Sequence, residues 1–168
     1  MEIRLANIND LPAIVEIYNQ AIRAGFTTGD TEEFSVDQRA EWFQKFDADI
    51  YPIYAALLEG KVVGYAYLSP YRPGRQAMSK IAEISYFVDY SNHRKGIAGA
   101  LIQHILSDCE RLKKETLLAI LLGTNTTSIH LLEKFGFQKW GHLPDVIDFN
   151  GSKCDHLIYG LKFVGQVH

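Results

Sequence analysis

A short run of basic and small residues could bind a diphosphate without a metal ion. It follows a β-rich apolar stretch and opens an amphipathic stretch with helical periodicity. Backbone N–H groups in the first turn of a helix have no helical acceptor, and the helix dipole attracts an anion to them. Small side chains let a diphosphate approach the backbone, and basic ones add positive charge. The predicted site comprises Arg94, Lys95, Gly96, Ile97, Ala98 and Gly99. The alternative is a basic turn on an ordinary surface helix.

Composition bounds the classes of protein to which the chain can belong. With 168 residues, 47% of them hydrophobic and 22% charged, it is expected to fold as one domain spanning residues 1–168. A net charge of −3 argues against nucleic acid as a partner, and the most apolar run, residues 117–122, is too short to span a membrane. The two cysteines and six histidines lack metal-ligand spacing, so no metal is predicted. The absence of a signal-peptide pattern and the small number of cysteines favour a cytoplasmic location.

Hydrophobic periodicity predicts the element order β α α β β β α β α β β. The strands are expected near residues 3–6, 53–58, 62–68, 82–90, 117–122, 137–147 and 155–163, with Asn150-Gly151 joining the last two. The first helix carries an apolar stripe over residues 11–22, and Ser35 and Gln38 form a capping box that opens the second, which reaches residue 46. A third helix is expected over residues 94–112, and a short fourth one ends near residue 135. The crossovers predict a mixed sheet with helices on both faces, in the α/β class.

Two separated segments together resemble a known family. The first is His93-Arg-Lys-Gly-Ile-Ala98, and the second combines Asn125 with Ser128-Ile-His-Leu-Leu-Glu-Lys-Phe-Gly-Phe137. The pairing resembles the GNAT superfamily of acetyl-CoA-dependent N-acetyltransferases, and the resemblance covers nearly the whole chain. Residues 10–19, 62–67, 70–72 and 83–85 further resemble the phosphinothricin and methionine-sulfoximine acetyltransferase subfamily. Enzymes of that subfamily acetylate the α-amine of small amino-acid analogues.

The resemblance implies a GNAT-like acyl-CoA N-acyltransferase fold, acetyl-CoA as cosubstrate and a role for each matching residue. Residues 94–99 would hold the pyrophosphate. Glu83 matches the carboxylate placed at the substrate amine. The other implied cofactor contacts, along the pantetheine arm and thioester, are Tyr86, Phe87, Val88, Asn125 and Lys134.

The chemistry of amine acetylation independently favours a carboxylate at position 83. Only a neutral amine attacks a thioester, so an ammonium must first lose its proton. A carboxylate that is partly desolvated on a strand has a raised pKa and can act as the base, directly or through water. A salt bridge with Lys80 or an arginine is the alternative. Strand alternation puts Glu83, Ser85 and Phe87 on one face, unless a bulge shifts the phase.

Three further features concern the acceptor and the leaving group. Arg72 and Arg75 flank a Pro-Gly turn, where they either bind an anionic group of the substrate or remain in solvent. Phe26, Thr27 and Thr28 lie in the first long loop, where GNAT acceptor pockets form. Leu132 occupies the position at which related enzymes carry Tyr or His, so the departing thiolate would depend on water or Tyr86.

The predicted function is transfer of the acetyl group of acetyl-CoA to the amine of a small amino-acid-like acceptor. Alternatives within the same chemistry are a polyamine, an aminoglycoside or a protein N-terminus as acceptor. An alternative of another class is a CoA-binding regulatory module that has lost catalysis. The tyrosine-rich hairpin and the apolar tail over residues 157–161 predict a homodimer.

Overall fold

The computed structural model describes residues 1–163, and within them seven strands and four α-helices follow the order predicted from the sequence. The elements are β1 (Glu2–Leu5), α1 (Leu11–Ala24), α2 (Val36–Gln44), β2 (Ile53–Leu58), β3 (Lys61–Pro70), β4 (Ile81–Val88), α3 (Ile97–Asp108), β5 (Thr116–Leu122), α4 (Thr126–Lys134), β6 (Gln138–Phe149) and β7 (Ser152–Lys162). The Ser35 capping box is present, because the Ser35 side chain accepts from the Gln38 N–H while the Gln38 side chain accepts from the Ser35 N–H. The predicted α/β class with a mixed sheet is confirmed.

One parallel pair interrupts an otherwise antiparallel sheet of order β1-β2-β3-β4-β5-β7-β6. That pair is β4 and β5, which are joined by the α3 crossover. They pair only from Ile81 to Glu83 on β4 and from Thr116 to Leu118 on β5. Beyond these residues β4 stays paired with β3 and β5 stays paired with β7, so the two strands diverge and leave a gap in the middle of the sheet.

Helices cover both faces of the sheet. On one face α1 packs Ile14 and Ile17 against Tyr65 of β3, with α2 beside it. On the other face α3 buries Leu101, Ile102 and Ile105 against the sheet, and α4 adds Leu132 to the same cluster. Because both faces are packed, the gap between β4 and β5 is walled by helices on either side. No helix within residues 1–163 is both long and apolar enough to cross a membrane.

Element ends differ from the sequence prediction where backbone dihedrals or caps intervene. The third helix begins at Ile97 rather than Arg94, because Arg94 and Gly96 adopt φ of +62° and +76°. It ends at Asp108 rather than residue 112, and irregular turns lead to Lys113, whose φ is also positive. Strand β4 ends at Val88 rather than residue 90, since the Asp89 side chain caps a 3₁₀ turn.

The strands of the final hairpin extend closer to the turn than the sequence predicts. Asn150 and Gly151 have φ of +51° and +96°, a geometry that asparagine and glycine adopt readily and that closes a two-residue hairpin. Pairing therefore extends to Phe149 opposite Ser152, and β7 begins at Ser152 rather than residue 155.

Candidate active site

A cavity of about 650 Å³ opens beside the end of β4, the part of that strand from which β5 has diverged. Its walls come from α1, the end of β4, the turn that follows β4, the start of α3, and α4. Ten of the eleven residues predicted to contact a cofactor line it: Tyr86, Phe87, Val88, Arg94, Gly96, Ile97, Ala98, Gly99, Asn125 and Lys134. Lys95 does not line it, and its ammonium donates to Asn92 Oδ1 at 2.8 Å.

Free backbone donors are concentrated where the cavity meets α3. The first backbone bond of α3 runs from the Ala100 N–H to the Gly96 carbonyl. The six preceding N–H groups, those of residues 94–99, donate to no acceptor within residues 1–163. Positive φ at Arg94 and Gly96 turns successive N–H groups toward one side, which is the geometry of an anion-binding nest. A Cβ built on Gly96 would meet no protein atom within 4 Å, so the space beside it is open to a ligand.

The turn between β4 and α3 is held in place by side chains. Nε2 of His93 lies 3.0 Å from the Val88 carbonyl oxygen, and the His93 ring packs against Tyr90 with centroids 4.4 Å apart. Asp89 accepts from the Ser91 N–H at 2.9 Å. These contacts fix the path of the chain into the nest, which reduces the reorganisation needed to bind an anion.

The backbone of β4 offers further donors to the cavity. The Asp89 N–H donates to the Val63 carbonyl at 2.9 Å, which shows that odd-numbered N–H groups at this end of β4 point toward β3. Alternation then directs the N–H groups of Tyr86 and Val88 toward the gap, where β5 has already diverged. Register between β3 and β4 is continuous from Ala82 to Val88, so no bulge disturbs this phase. Fixed N–H donors of this kind can polarise a carbonyl oxygen.

The start of α4 provides the opposite wall. Asn125 caps the helix with its side-chain oxygen, which accepts from the Ser128 N–H at 3.3 Å. Its amide NH₂ makes no bond within residues 1–163, so it can donate to a ligand in the cavity. Burial raises the pKa of the Tyr86 phenol to about 12, although a hydrogen bond with Ser128 opposes the rise. The Tyr86 hydroxyl is therefore neutral at physiological pH and remains a hydrogen-bond donor.

Leu132 cannot serve as an acid, and it does not line the cavity. Its side chain is 1% exposed and packs in the core with Leu101 and Phe137. The hydroxyl-bearing residues on the α4 side of the cavity are instead Tyr86, Thr127 and Ser128.

Glu83 stands where β4 and β5 separate, as the last β4 residue paired with β5. It is half-buried, and this burial raises the pKa of its carboxyl group. The alternative ion pair with Lys80 is not formed, because Lys80 pairs with Glu115. Glu83 does not itself line the 650 Å³ cavity; it shares a sheet face with Phe87, which does. A carboxylate in this position can take up a proton from an amine bound near the point where β4 and β5 separate.

The two arginines predicted at the substrate lie apart from the cavity. Arg72 and Arg75 are both exposed on the loop between β3 and β4, and neither lines the cavity. Ser69, three residues before Arg72, pairs with Glu83, so the loop begins beside that carboxylate.

Several cavity residues carried no signal strong enough to be singled out from the sequence. Ile17 and Ala21 come from α1, where their spacing indicates only a buried helix face. Ser128 could have been found from its position three residues after Asn125, since the asparagine cap brings it to the first turn of α4.

Thr27, which the sequence placed in the loop expected to border an acceptor pocket, also lines the cavity.

Comparisons with known proteins agree with this geometry. Residues 3–158 match the family described as Acetyltransferase (GNAT) domain. YwnH of Bacillus subtilis (strain 168) is 35% identical over 161 residues, covering 95% of this chain and 98% of the relative. The L-methionine sulfoximine/L-methionine sulfone acetyltransferase of Pseudomonas aeruginosa (strain PAO1) is 33% identical over 147 residues, covering 86% of this chain and 84% of the relative.

A solved structure shows the same architecture with a cosubstrate present. The phosphinothricin acetyltransferase of Sinorhizobium meliloti, in complex with acetyl-CoA, superposes with a TM-score of 0.90 at 29% identity, covering 96% of this chain and 88% of that one. The divided sheet, the free donors at the start of α3 and the family match lead to one conclusion. The chain belongs to the GNAT acetyltransferase family.

Proposed function

We propose that this protein transfers the acetyl group of acetyl-CoA to the amine of a small amino-acid-like acceptor. One observation carries the proposal: a cavity bordered by free backbone donors at Arg94 and at residues 96–99 shares a sheet face, through Phe87, with the half-buried Glu83 carboxylate, which has no cationic partner within residues 1–163. The names of the relatives from Pseudomonas aeruginosa and Sinorhizobium meliloti support a small amino-acid-like acceptor.

The residues fit acetyl-CoA, which supplies an activated acetyl group as a thioester. The N–H groups of residues 94–99 bind the diphosphate, and the Arg94 side chain adds charge beside them. The Asn125 amide donates to the pantetheine arm, and Lys134 lies on the same wall. The Tyr86 and Val88 N–H groups polarise the acetyl carbonyl. In the net reaction an amide C–N bond forms and the thioester C–S bond breaks.

The acceptor nitrogen gives up two protons in this scheme, one before attack to Glu83 and one after attack to water or to the departing thiolate. Glu83 takes a proton from the acceptor ammonium, directly or through water, and its raised pKa brings it closer to the amine in basicity. The departing thiolate receives a hydrogen bond from the Tyr86 phenol or from water, because Leu132 is buried away from the cavity. A phenol with a pKa of about 12 is a weak acid, so it stabilises the thiolate by donating a hydrogen bond rather than by full proton transfer.

The protein is proposed to act in the cytoplasm as a homodimer. Several of the apolar residues first expected at an interface are buried within one chain, since Tyr65, Leu157 and Tyr159 are at most 5% exposed. Exposed apolar side chains lie instead on β6, at the edge of the sheet, where Leu143 and Val146 are 40% and 53% exposed. An apolar edge strand of this kind is suited to a two-fold contact with a second copy.

The test is acetyl transfer by the purified protein with a panel of acceptors. The panel contains phosphinothricin, methionine sulfoximine, methionine sulfone, spermidine, kanamycin and a peptide with a free N-terminus. CoA release and the mass of the product are measured for each acceptor. The proposal expects N-acetylation of the small amino-acid analogues at rates well above the other acceptors. Faster transfer to spermidine, kanamycin or the peptide would replace the acceptor class, and acetyl-CoA binding without transfer to any amine would indicate a regulatory module.

A further inference from the structure

An arginine on α2 sits in an aromatic cage without an acidic partner. The Arg39 guanidinium carbon lies 3.9 Å from the ring centroid of Trp42, 4.9 Å from that of Phe34 and 5.2 Å from that of Tyr18. Arg39 makes no ion pair or hydrogen bond with any residue in the range 1–163, although it is half-buried. Its N–H donors form a rigid planar fork that matches an oxyanion.

A buried hydroxyl beside this cage also lacks a partner. Tyr65 is 0% exposed, and within residues 1–163 its hydroxyl makes no hydrogen bond. The Tyr65 ring stacks on the Tyr67 ring with centroids 6.1 Å apart. The Tyr67 ring in turn packs edge-on against Trp42, with centroids 5.4 Å apart. Burial raises the pKa of both phenols, and the positive charge of Arg39 opposes part of that rise. A buried hydroxyl is normally paired, so the Tyr65 hydroxyl lacks the partner expected of it.

The same sheet face carries the proposed base. Tyr67 pairs with Ser85 and Ser69 pairs with Glu83, so Tyr67 and Glu83 are diagonal neighbours on the face covered by α1 and α2. The charge of Glu83 raises the pKa of the Tyr67 phenol, in keeping with this proximity. The charge of Asp30 also raises the pKa of the Tyr67 phenol. The Asp30 carboxylate accepts from the Tyr18 hydroxyl and is not paired with Arg39. One face thus holds a cation, two phenols and a carboxylate, with the Tyr67 hydroxyl hydrogen-bonded to Ser85, which lies opposite it on β4.

We propose that Arg39, together with the Tyr65 and Tyr67 hydroxyls, binds an oxyanion of the acceptor while Glu83 faces its amine. The assignment rests on the proposed acetyltransferase function and names the acceptor as zwitterionic or anionic, bound under α2. The oxyanion is either the α-carboxylate of an amino acid or an acidic group on its side chain. Arg39 and Tyr65 are specificity-determining residues in this account.

The experiment measures kcat/KM at saturating acetyl-CoA for three acceptors: phosphinothricin, methionine sulfone and methionine sulfone amide. The amide lacks the α-carboxylate, and phosphinothricin adds a side-chain oxyanion. Arg39→Gln should lower kcat/KM for the best wild-type acceptor by about 10- to 100-fold, the range for a charged hydrogen bond. Its KM for acetyl-CoA should be unchanged. Loss of discrimination against the amide identifies the α-carboxylate as the bound group, and loss of the preference for phosphinothricin identifies the side-chain oxyanion.

The Tyr65→Phe variant distinguishes a role of the Tyr65 hydroxyl in acceptor binding from a role in stabilising the fold. Because the Tyr65 hydroxyl has no partner in residues 1–163, its removal should leave the melting temperature unchanged or raise it, while the acceptor KM rises several-fold. A wild-type enzyme that prefers the amide, or an Arg39→Gln enzyme that keeps wild-type selectivity, overturns the inference and leaves acetyl transfer standing. If Arg39→Gln does not fold, Tyr65→Phe decides: an unchanged acceptor KM then refutes the site. If the wild type acetylates no amine, the proposed function itself fails.

Discussion

A single charge placed in the nest at residues 94–99 should abolish acetyl-CoA binding. Gly96 has φ of +76° and open space where a Cβ would lie, so a short side chain can be added there without a clash. Asparagine and aspartate tolerate positive φ better than other residues and are nearly identical in shape. Gly96→Asn therefore carries the cost of bulk and backbone strain, and Gly96→Asp adds only the negative charge.

The size of the charge effect follows from Coulomb's law. Two unit charges about 5 Å apart at an effective dielectric constant of about 20 interact by about 3 kcal/mol, which corresponds to a factor of about 100 or more in affinity. Calorimetric titration with CoA should therefore give a dissociation constant at least about 100-fold higher for Gly96→Asp than for Gly96→Asn. In the wild type, ligand at 100 times its dissociation constant adds about 2.7 kcal/mol and raises the melting temperature by about 5–10 °C. Equal affinities for the two variants would refute the diphosphate assignment.

Three other perturbations test separate parts of the structure. Tyr86→Phe should lower kcat by about 10-fold with little change in the KM for acetyl-CoA, as measured by CoA release, because one hydrogen bond to the thiolate is lost; full activity would assign that donor to water. Light scattering should give a 38 kDa particle, twice the 19.0 kDa chain, and Leu143→Lys with Val146→Lys should give the monomer; a wild-type monomer contradicts the dimer. Arg4→Met should lower the free energy of unfolding at pH 7 by about 1–3 kcal/mol in urea titrations, because it leaves the buried Asp10 carboxylate without its cation. Burial raises the pKa of Asp10, but hydrogen bonds from Arg4 and from the Asn7 backbone outweigh it, so the pKa is lowered overall. The stability that the ion pair contributes is therefore present above the pKa of the unfolded state and disappears as pH falls through the pKa of the folded state. A stability difference between wild type and Arg4→Met that persists in full at pH 2 would contradict the ion-pair origin.

The element order could be predicted from the sequence because each element carries its own local signal. The stripe of α1, the Ser35 capping box and the Asn150-Gly151 turn depend on residues close together in the chain, and local signals of this kind survive folding. The candidate site was predictable to the extent that residues 94–99 and Asn125 form short motifs.

Features that depend on distant parts of the chain could not be predicted in the same way. The divergence of β4 and β5 results from β5 pairing with β7, which follows in the sequence by some thirty residues. Positive φ at Arg94 has no signal in its own side chain. Arg39 appears in the sequence as a charge on a polar helix, and its aromatic cage exists only because α1 and α2 bring Tyr18 and Trp42 together.

The pH dependence of acetyl transfer by Glu83→Gln shows whether the carboxylate at the point where β4 and β5 separate deprotonates the acceptor. Burial raises the pKa of Glu83 above its ordinary value of 4.5, so the wild-type kcat/KM should rise with pH as this group loses its proton. With an α-amine of pKa near 8, Glu83→Gln should be slower by about 10²- to 10⁴-fold at pH 7, with unchanged acetyl-CoA affinity. The deficit should shrink as pH rises and the amine loses its proton unaided. Near-wild-type turnover by Glu83→Gln at pH 7 would contradict the account and make Glu83 a structural residue.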